Sequence, residues 1–129
     1  MKRNGMINSH IAKVLADLGH TDTIVVADAG LPVPEGVPKI DLSLNWGIPS
    51  VVEVLRILQQ EMIVEQVTVA EELQEGKGQL HKDIVSIFKQ LDYVSHETFK
   101  SQTHHAKAVI RTGEATPFAN CILHAGVSF

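Results

Sequence analysis

The run TIVVA, residues 23–27, admits few folds. Its β-branched side chains follow one another on both parities of the chain, so an extended conformation turns apolar groups to both sides and both sides have to be covered. That is a buried strand of a layered α/β protein. Its surroundings agree. Upstream, NSHIAKVLADLG sets Ile11, Val14, Leu15 and Leu18 at helical spacing behind Asn8, which can cap the helix, with Gly19 expected to turn left-handed after the last turn. Downstream, DAGLPVPEGVPK carries three prolines and two glycines and breaks regular structure. His20 is thereby expected just beyond a helix C-terminus, and Asp28 at a strand's carboxyl end.

The rest of the chain repeats this alternation. Ser50 and Glu53 match a capping box behind Pro49, and Val51, Val54, Leu55 and Leu58 give the following helix an apolar face to about Gln60. MIVEQVTVA predicts one strand or two short extended pieces. LHKDIVSIFKQL predicts a helix that buries Leu80, Ile84, Val85, Phe88 and Leu91. A short strand is expected at Tyr93–Ser95, a helix from about Glu97, a strand at Ala108–Arg111 and a last strand within NCILHAGVSF. A chain of 129 residues, 44% of them hydrophobic, suffices for one core and is short for two. The expectation is a single domain over residues 1–129 of the α/β class, a mostly parallel or mixed sheet with helices on both faces.

Charge and cysteine content narrow the partners. Eleven basic against fifteen acidic side chains give a formal charge of -4 with no basic cluster, which argues against nucleic acid. A single cysteine, Cys121, precludes an intrachain disulfide and a multi-cysteine zinc site and fits a reducing compartment. No apolar stretch has the length of a membrane span, and the basic start lacks a signal peptide's apolar segment, so a cytoplasmic protein is expected. The apolar terminus HAGVSF points to burial against the body or a partner, hence to a homo-oligomer.

Most of the seven histidines need no function. His10, His81 and His124 fall in regular segments and are expected to be structural. His104 and His105 are neighbours whose side chains diverge, no HExxH spacing occurs, and no metal site is expected. GxGxxG and GxxxxGK[ST] are both absent, so neither a dinucleotide nor a P-loop nucleotide is indicated. His20 differs: imidazole exchanges protons near neutral pH, and helix-end carbonyls or a carboxylate favour its cation, so it can serve either as a general acid or as a plain helix cap. Asp28 opens toward the crevice where α/β sheets bind ligands, unless it only closes a turn. Asp41 can face a ligand or cap locally, and Trp46 can stack on a sugar or join a core or interface. ATPFANC, residues 115–121, offers an aromatic face in Phe118 and an amide in Asn120, a pairing suited to a polyhydroxylated ligand.

Taken together, LGHTDTIVVADAGLPVP, GIPS, SHETFK, AVIRTGE, PFAN and HAGVSF resemble the D-ribose pyranase and fucose mutarotase family over residues 1–129. The resemblance implies a cytoplasmic, cofactor-independent isomerase that interconverts pyranose and furanose forms of D-ribose, in a ring-shaped homo-oligomer, commonly a decamer, with sites close to subunit contacts. It places the catalytic histidine on His20, the motif aspartate on Asp28, a binding histidine on His96, and the aromatic-alanine-asparagine turn on Phe118, Ala119 and Asn120. That turn often begins with tyrosine; Phe118 keeps the ring and lacks the hydroxyl. On this reading His20 protonates the ring oxygen, Asp28 holds the sugar or the protonated imidazole, and Asn120 orients hydroxyls. A fucose mutarotase and a non-catalytic ribose-binding module are the alternatives.

Overall fold

The computed structural model describes residues 1–129. Helix α1, Ser9–Asp17, starts where Asn8 accepts a hydrogen bond from the Ile11 amide at 3.0 Å. Strand β1, Thr23–Ala27, is followed by β2, Lys39–Asp41, and by α2, Val51–Glu61. The capping box of α2 is formed in both directions: the Glu53 amide donates to Ser50 Oγ at 3.2 Å and the Ser50 amide to Glu53 Oε2 at 2.7 Å. Then come β3, Val64–Ala70; α3, Glu71–Glu75; α4, Gln79–Phe88; β4, Asp92–Val94; α5, His96–Gln102; β5, Val109–Arg111; and β6, Cys121–Ala125.

The six strands form one sheet in the order β2-β5-β1-β6-β3-β4. β1 and β2 run parallel to β5, β3 runs parallel to β4, and β6 lies antiparallel to both β1 and β3. The first five strands therefore share one direction and β6 alone opposes them, which is the mostly parallel, mixed sheet expected. Alternate residues of β1 face opposite layers: Ile24 and Val26 join a core with Ile11 of α1, Leu55 and Leu58 of α2 and Ile84 of α4, while Val25 and Ala27 join Phe99 of α5, Leu31 and Ala106. Helices thus cover both faces. Val51, Val54, Leu55 and Leu58 are all buried, each worth about 1.5–3 kcal/mol of apolar burial, so α2 is held by its packed face more than by its propensity.

One local expectation is corrected, and two short elements appear that none anticipated. Gly19 does not turn left-handed; Leu18 ends α1 in an extended conformation, and the positive φ of 71° falls on Thr21 instead. The stretch 28–38 is irregular as expected, but β2, which follows it at Lys39–Asp41, was not expected; its pairing with β5 supplies hydrogen bonds that the local composition does not announce. The segment after β3 forms the short α3, which buries only Leu73 and so leaves little periodic signal.

The loop after β2 is fastened to the sheet at Gly113. Its carbonyl accepts from the Gly47 amide at 2.6 Å, and its amide donates to Pro49 O at 2.9 Å. A Cβ at this position would collide with the carbonyl oxygens of Asn45 and Ile48 and with the Ile48 amide, all backbone atoms. Gly113→Ala is expected to destabilise the protein by about 1–3 kcal/mol, read as a lowered Tm, because the loop has to move to admit one methyl. Burial pushes the Cys121 thiol up to about 12. Iodoacetamide at neutral pH is accordingly expected to leave the folded protein unmodified and to label it stoichiometrically in denaturant, as mass spectrometry will report.

Candidate functional site

Because five strands run one way and β6 the other, one edge of the sheet gathers the carboxyl ends of β1–β5 and the amino end of β6. Asp28, Asp41, Glu72, His96 and Arg111 emerge there, as does the turn 115–120 that leads into β6. This is the edge at which open α/β sheets bind ligands.

Asp28 and Asn120 are joined twice. The Asp28 amide donates to Asn120 Oδ1 at 2.8 Å, and Asn120 Nδ2 donates to Asp28 Oδ2 at 3.1 Å. The Gly30 amide donates to the other carboxylate oxygen at 2.9 Å. Asn120 is 1% exposed, so its amide is fixed by its partners, and one Nδ2 hydrogen remains beyond those bonds. The expectation that Asn120 orients a ligand's hydroxyls is thus sharpened: its first work is to hold Asp28. Ala119 is buried in the core, which leaves its main chain as the part available to a ligand.

His96 opens α5. Its amide donates to both oxygens of Glu72, at 2.9 and 3.1 Å, a carboxylate placed at a helix N-terminus. Its ring stacks on Phe99, with centroids 6.5 Å apart and planes at 15°, and meets Phe118 edge-on at 5.0 Å and 78°. Ring nitrogen Nδ1 is buried without a hydrogen-bond partner, which costs about 1–3 kcal/mol unless something polar arrives to meet it. Phe118 itself sits at φ 61°, a conformation that side-chain-bearing residues seldom adopt, and its carbonyl accepts from the Asn120 amide at 2.9 Å. The aromatic turn therefore links the His96 rings to the Asp28–Asn120 pair.

Arg111 flanks this edge, donating from Nε to Ala29 O at 3.1 Å and from a terminal nitrogen to Asp41 at 3.0 Å. Hydrogen bonds from the Ser43 side chain and amide, then the Arg111 charge, hold the Asp41 carboxyl below its usual range. Asp41 thus closes a local turn and an ion pair, the blander of its two sequence readings. A cavity of about 150 Å³ beside Arg111 is lined by Ala29, Ser43, Leu44, Asn45, Trp46 and Gly113, with Trp46 largely exposed. No group of three or more His, Cys, Asp or Glu converges as a metal requires.

His20 is elsewhere. It precedes β1 and lies at the opposite edge of the sheet, where Nε2 donates to Glu65 Oε2 at 2.9 Å and Oε1 at 3.1 Å. The four residue steps of β1 span about 13 Å. His20 and Asp28 consequently do not touch within one chain, where Glu65 is the carboxylate that meets the imidazole. Nor does His20 cap α1. Glu72 follows a strand end as Asp28 does, so the same reading of strand ends finds it; Glu65, 45 positions from His20, has no local signal.

Residues 1–128 match the RbsD / FucU transport protein family. The chain is 66% identical over 130 residues to the D-ribose pyranase of Bacillus pumilus and 61% identical over 132 residues to that of Bacillus licheniformis, covering 100% of both chains in each pair. The solved structure of Bacillus subtilis RbsD complexed with D-ribose is 56% identical, with a TM-score of 0.97 and 100% of both chains covered. The fucose mutarotase of Streptococcus pneumoniae in complex with L-fucose is 23% identical with a TM-score of 0.75, again over 100% of both chains, a likeness of fold alone. No helix is long and apolar enough to cross a membrane. With its family matched over residues 1–128 and whole-length relatives at these identities, the chain belongs to the RbsD / FucU family.

Proposed function

We propose that this chain is an intramolecular isomerase that opens and recloses D-ribose, interconverting its pyranose and furanose forms without a cofactor. The whole-length identity of 66% to a D-ribose pyranase carries the reading, supported by the TM-score of 0.97 to a ribose complex. Ribose is favoured over fucose because the ribose relatives share 53–66% of residues, whereas the fucose mutarotase shares 23%.

Ribopyranose is a cyclic hemiacetal. Opening places a proton on the ring oxygen, which leaves as the C5 hydroxyl, while the anomeric hydroxyl loses its proton and becomes the aldehyde. Closure then adds the C4 hydroxyl to that aldehyde, with one proton lost from O4 and one gained by the carbonyl oxygen. Each direction needs a positioned group that exchanges protons near neutral pH, and His20 has that chemistry. Asp28, kept oriented by Asn120, accepts hydrogen bonds from sugar hydroxyls, His96 lines the same edge, and the ring of Phe118 packs against the sugar's C–H surface.

The two edges of the sheet are too far apart for one pentose to bridge. The site is therefore completed between copies, His20 from one and the Asp28, His96 and Phe118–Asn120 edge from another. A homo-oligomer follows from this division. The decamer and the cytoplasmic location are those that the family resemblance implies.

Saturation-transfer NMR on equilibrated D-ribose tests the activity. Wild-type protein is expected to speed exchange between pyranose and furanose signals and His20→Ala to lose roughly 10²–10⁴ of that acceleration; binding without faster exchange would make this a sugar-binding module, and faster exchange of fucose alone a mutarotase of that sugar. Oligomers co-assembled from equal amounts of His20→Ala and Asp28→Asn chains are expected to regain about a quarter of wild-type activity, since each shared site draws its two halves independently. A site contained in one chain would regain none.

A further inference from the structure

Building on the proposed role of His20, we infer that Glu65 is its positioning residue: the carboxylate fixes the proton on Nε2 and thereby makes Nδ1 the ring nitrogen that exchanges a proton with the sugar. Both Glu65 oxygens lie within hydrogen-bond distance of the same nitrogen, at 2.9 and 3.1 Å. An ionised carboxylate can only accept, so Nε2 must donate, and in the neutral ring Nδ1 is left as the acceptor. Which nitrogen carries the proton is in this way decided by the carboxylate on the other side of the ring.

The surroundings are shaped for this contact. Glu65 lies at the start of β3, where the pairing with β6 shifts register between Val64 and Gln66. Beside it is Gly126, which the bond of its amide to Ile63 O at 2.9 Å sets opposite Ile63. A Cβ on Gly126 would sit 3.1 Å from Glu65 Cβ and 3.4 Å from Oε2, so the glycine leaves the room through which the carboxylate reaches His20. The histidine's own loop is stitched to the end of β6. The Thr21 amide donates to Ala125 O and the Ala125 amide to Asp22 O, both at 2.8 Å, while the Gly19 amide donates to Asp22 Oδ2 at 2.8 Å. Main chain thus holds the loop on both sides of His20, and Glu65 alone holds the ring.

One competitor for Glu65 stands nearby. His124, on β6, feels the Glu65 charge, but burial outweighs that charge and the Asp92 charge and lowers its pKa below the ordinary histidine value. Its Nε2 is engaged with Thr68 Oγ1 at 3.1 Å. Both Glu65 oxygens are thus bonded to His20 and neither to His124.

The pair is solvent-exposed in one chain, with side-chain exposures of 52% and 41%, so removing it is not expected to threaten the fold. Glu65→Ala, Glu65→Gln, His20→Ala and the double variant His20→Ala/Glu65→Ala are compared in the assembled protein by kcat and KM for ribose ring exchange. Solid-state NMR of ¹⁵N-histidine-labelled protein, with His20 assigned by its disappearance in His20→Ala, reports the tautomer. We expect a neutral His20 protonated on Nε2 in wild type and a mixture in Glu65→Ala, with kcat lowered roughly 10- to 100-fold and KM nearly unchanged. Glu65→Gln, which retains an acceptor at nearly the same place, is expected to recover part of kcat and of the tautomer, and Glu65→Ala is expected to cost nothing further once His20 is gone. Wild-type kcat in Glu65→Ala beside an inactive His20→Ala overturns this inference alone, as does a wild-type His20 protonated on Nδ1 or an equal loss from Glu65→Ala with and without His20. Full activity in His20→Ala overturns the role of His20, and this inference with it.

Discussion

Strand β6 enters the sheet against the direction of all its neighbours, and both polar clusters of the molecule hang from its two ends. At its start, the residue before Cys121 is Asn120, which the antiparallel register sets beside the end of β1 and hence within reach of Asp28. At its finish, Ala125 and Gly126 take the loop of His20 and the first residues of β3. A parallel strand in the same place would bring its start to the opposite edge and leave Asp28 without its amide. The hydrophobic content of β6 secures this arrangement: Cys121, Ile122, Leu123 and Ala125 are all buried between two layers, so a slip of one residue would exchange the faces of the whole strand.

The carboxyl edge is built to stay open and polar at some cost in stability. A buried nitrogen without a partner and a phenylalanine at positive φ are both unfavourable, each on the order of 1–3 kcal/mol, and both occur in the same small group of residues. The supports around them explain their persistence. Glu72 fixes the first turn of α5, Thr112 Oγ1 donates to Ala27 O at 2.8 Å just behind Asp28, and Glu114 accepts from the first amide of α2 at 3.1 Å while its carbonyl receives the Ala29 amide. Bonds from neighbouring elements thus brace the unfavourable features of this edge.

Much of the fold was legible because burial writes itself into local pattern. TIVVA, the Ser50–Glu53 box and the apolar faces of α1, α2 and α4 each depend on residues within a turn or two of one another, and each stands where its pattern predicts. β2 and α3 escaped because they are short and owe their existence to a neighbour: β2 to the hydrogen bonds of β5, α3 to one buried leucine. Asp28 was found by its place at a strand end. Its bond to Asn120, 92 positions away, and the hold of Glu65 on His20, 45 positions away, are set by strand order and were not legible in any window of sequence. Phe118 shows the same limit from the other side, since the motif names the residue while its left-handed backbone, which turns the ring toward His96, appears only in three dimensions.

The separation of His20 from the Asp28 edge has a chemical consequence that the fold makes unavoidable. His20 is carried on one edge of a rigid sheet and Asp28, His96 and Asn120 on the other, with buried β-branched residues between them that cannot bend to close the gap. Under the proposed reading, a free subunit holds both halves of the apparatus and no complete site, so assembly is a step in forming the active site and not only a source of stability. It also divides the demands on the chain. The Asp28 edge is preformed by bonds within the subunit, and His20 is preset in ring orientation by Glu65 before a second copy arrives, which limits what must be ordered when two subunits meet to the relative placement of two already rigid surfaces.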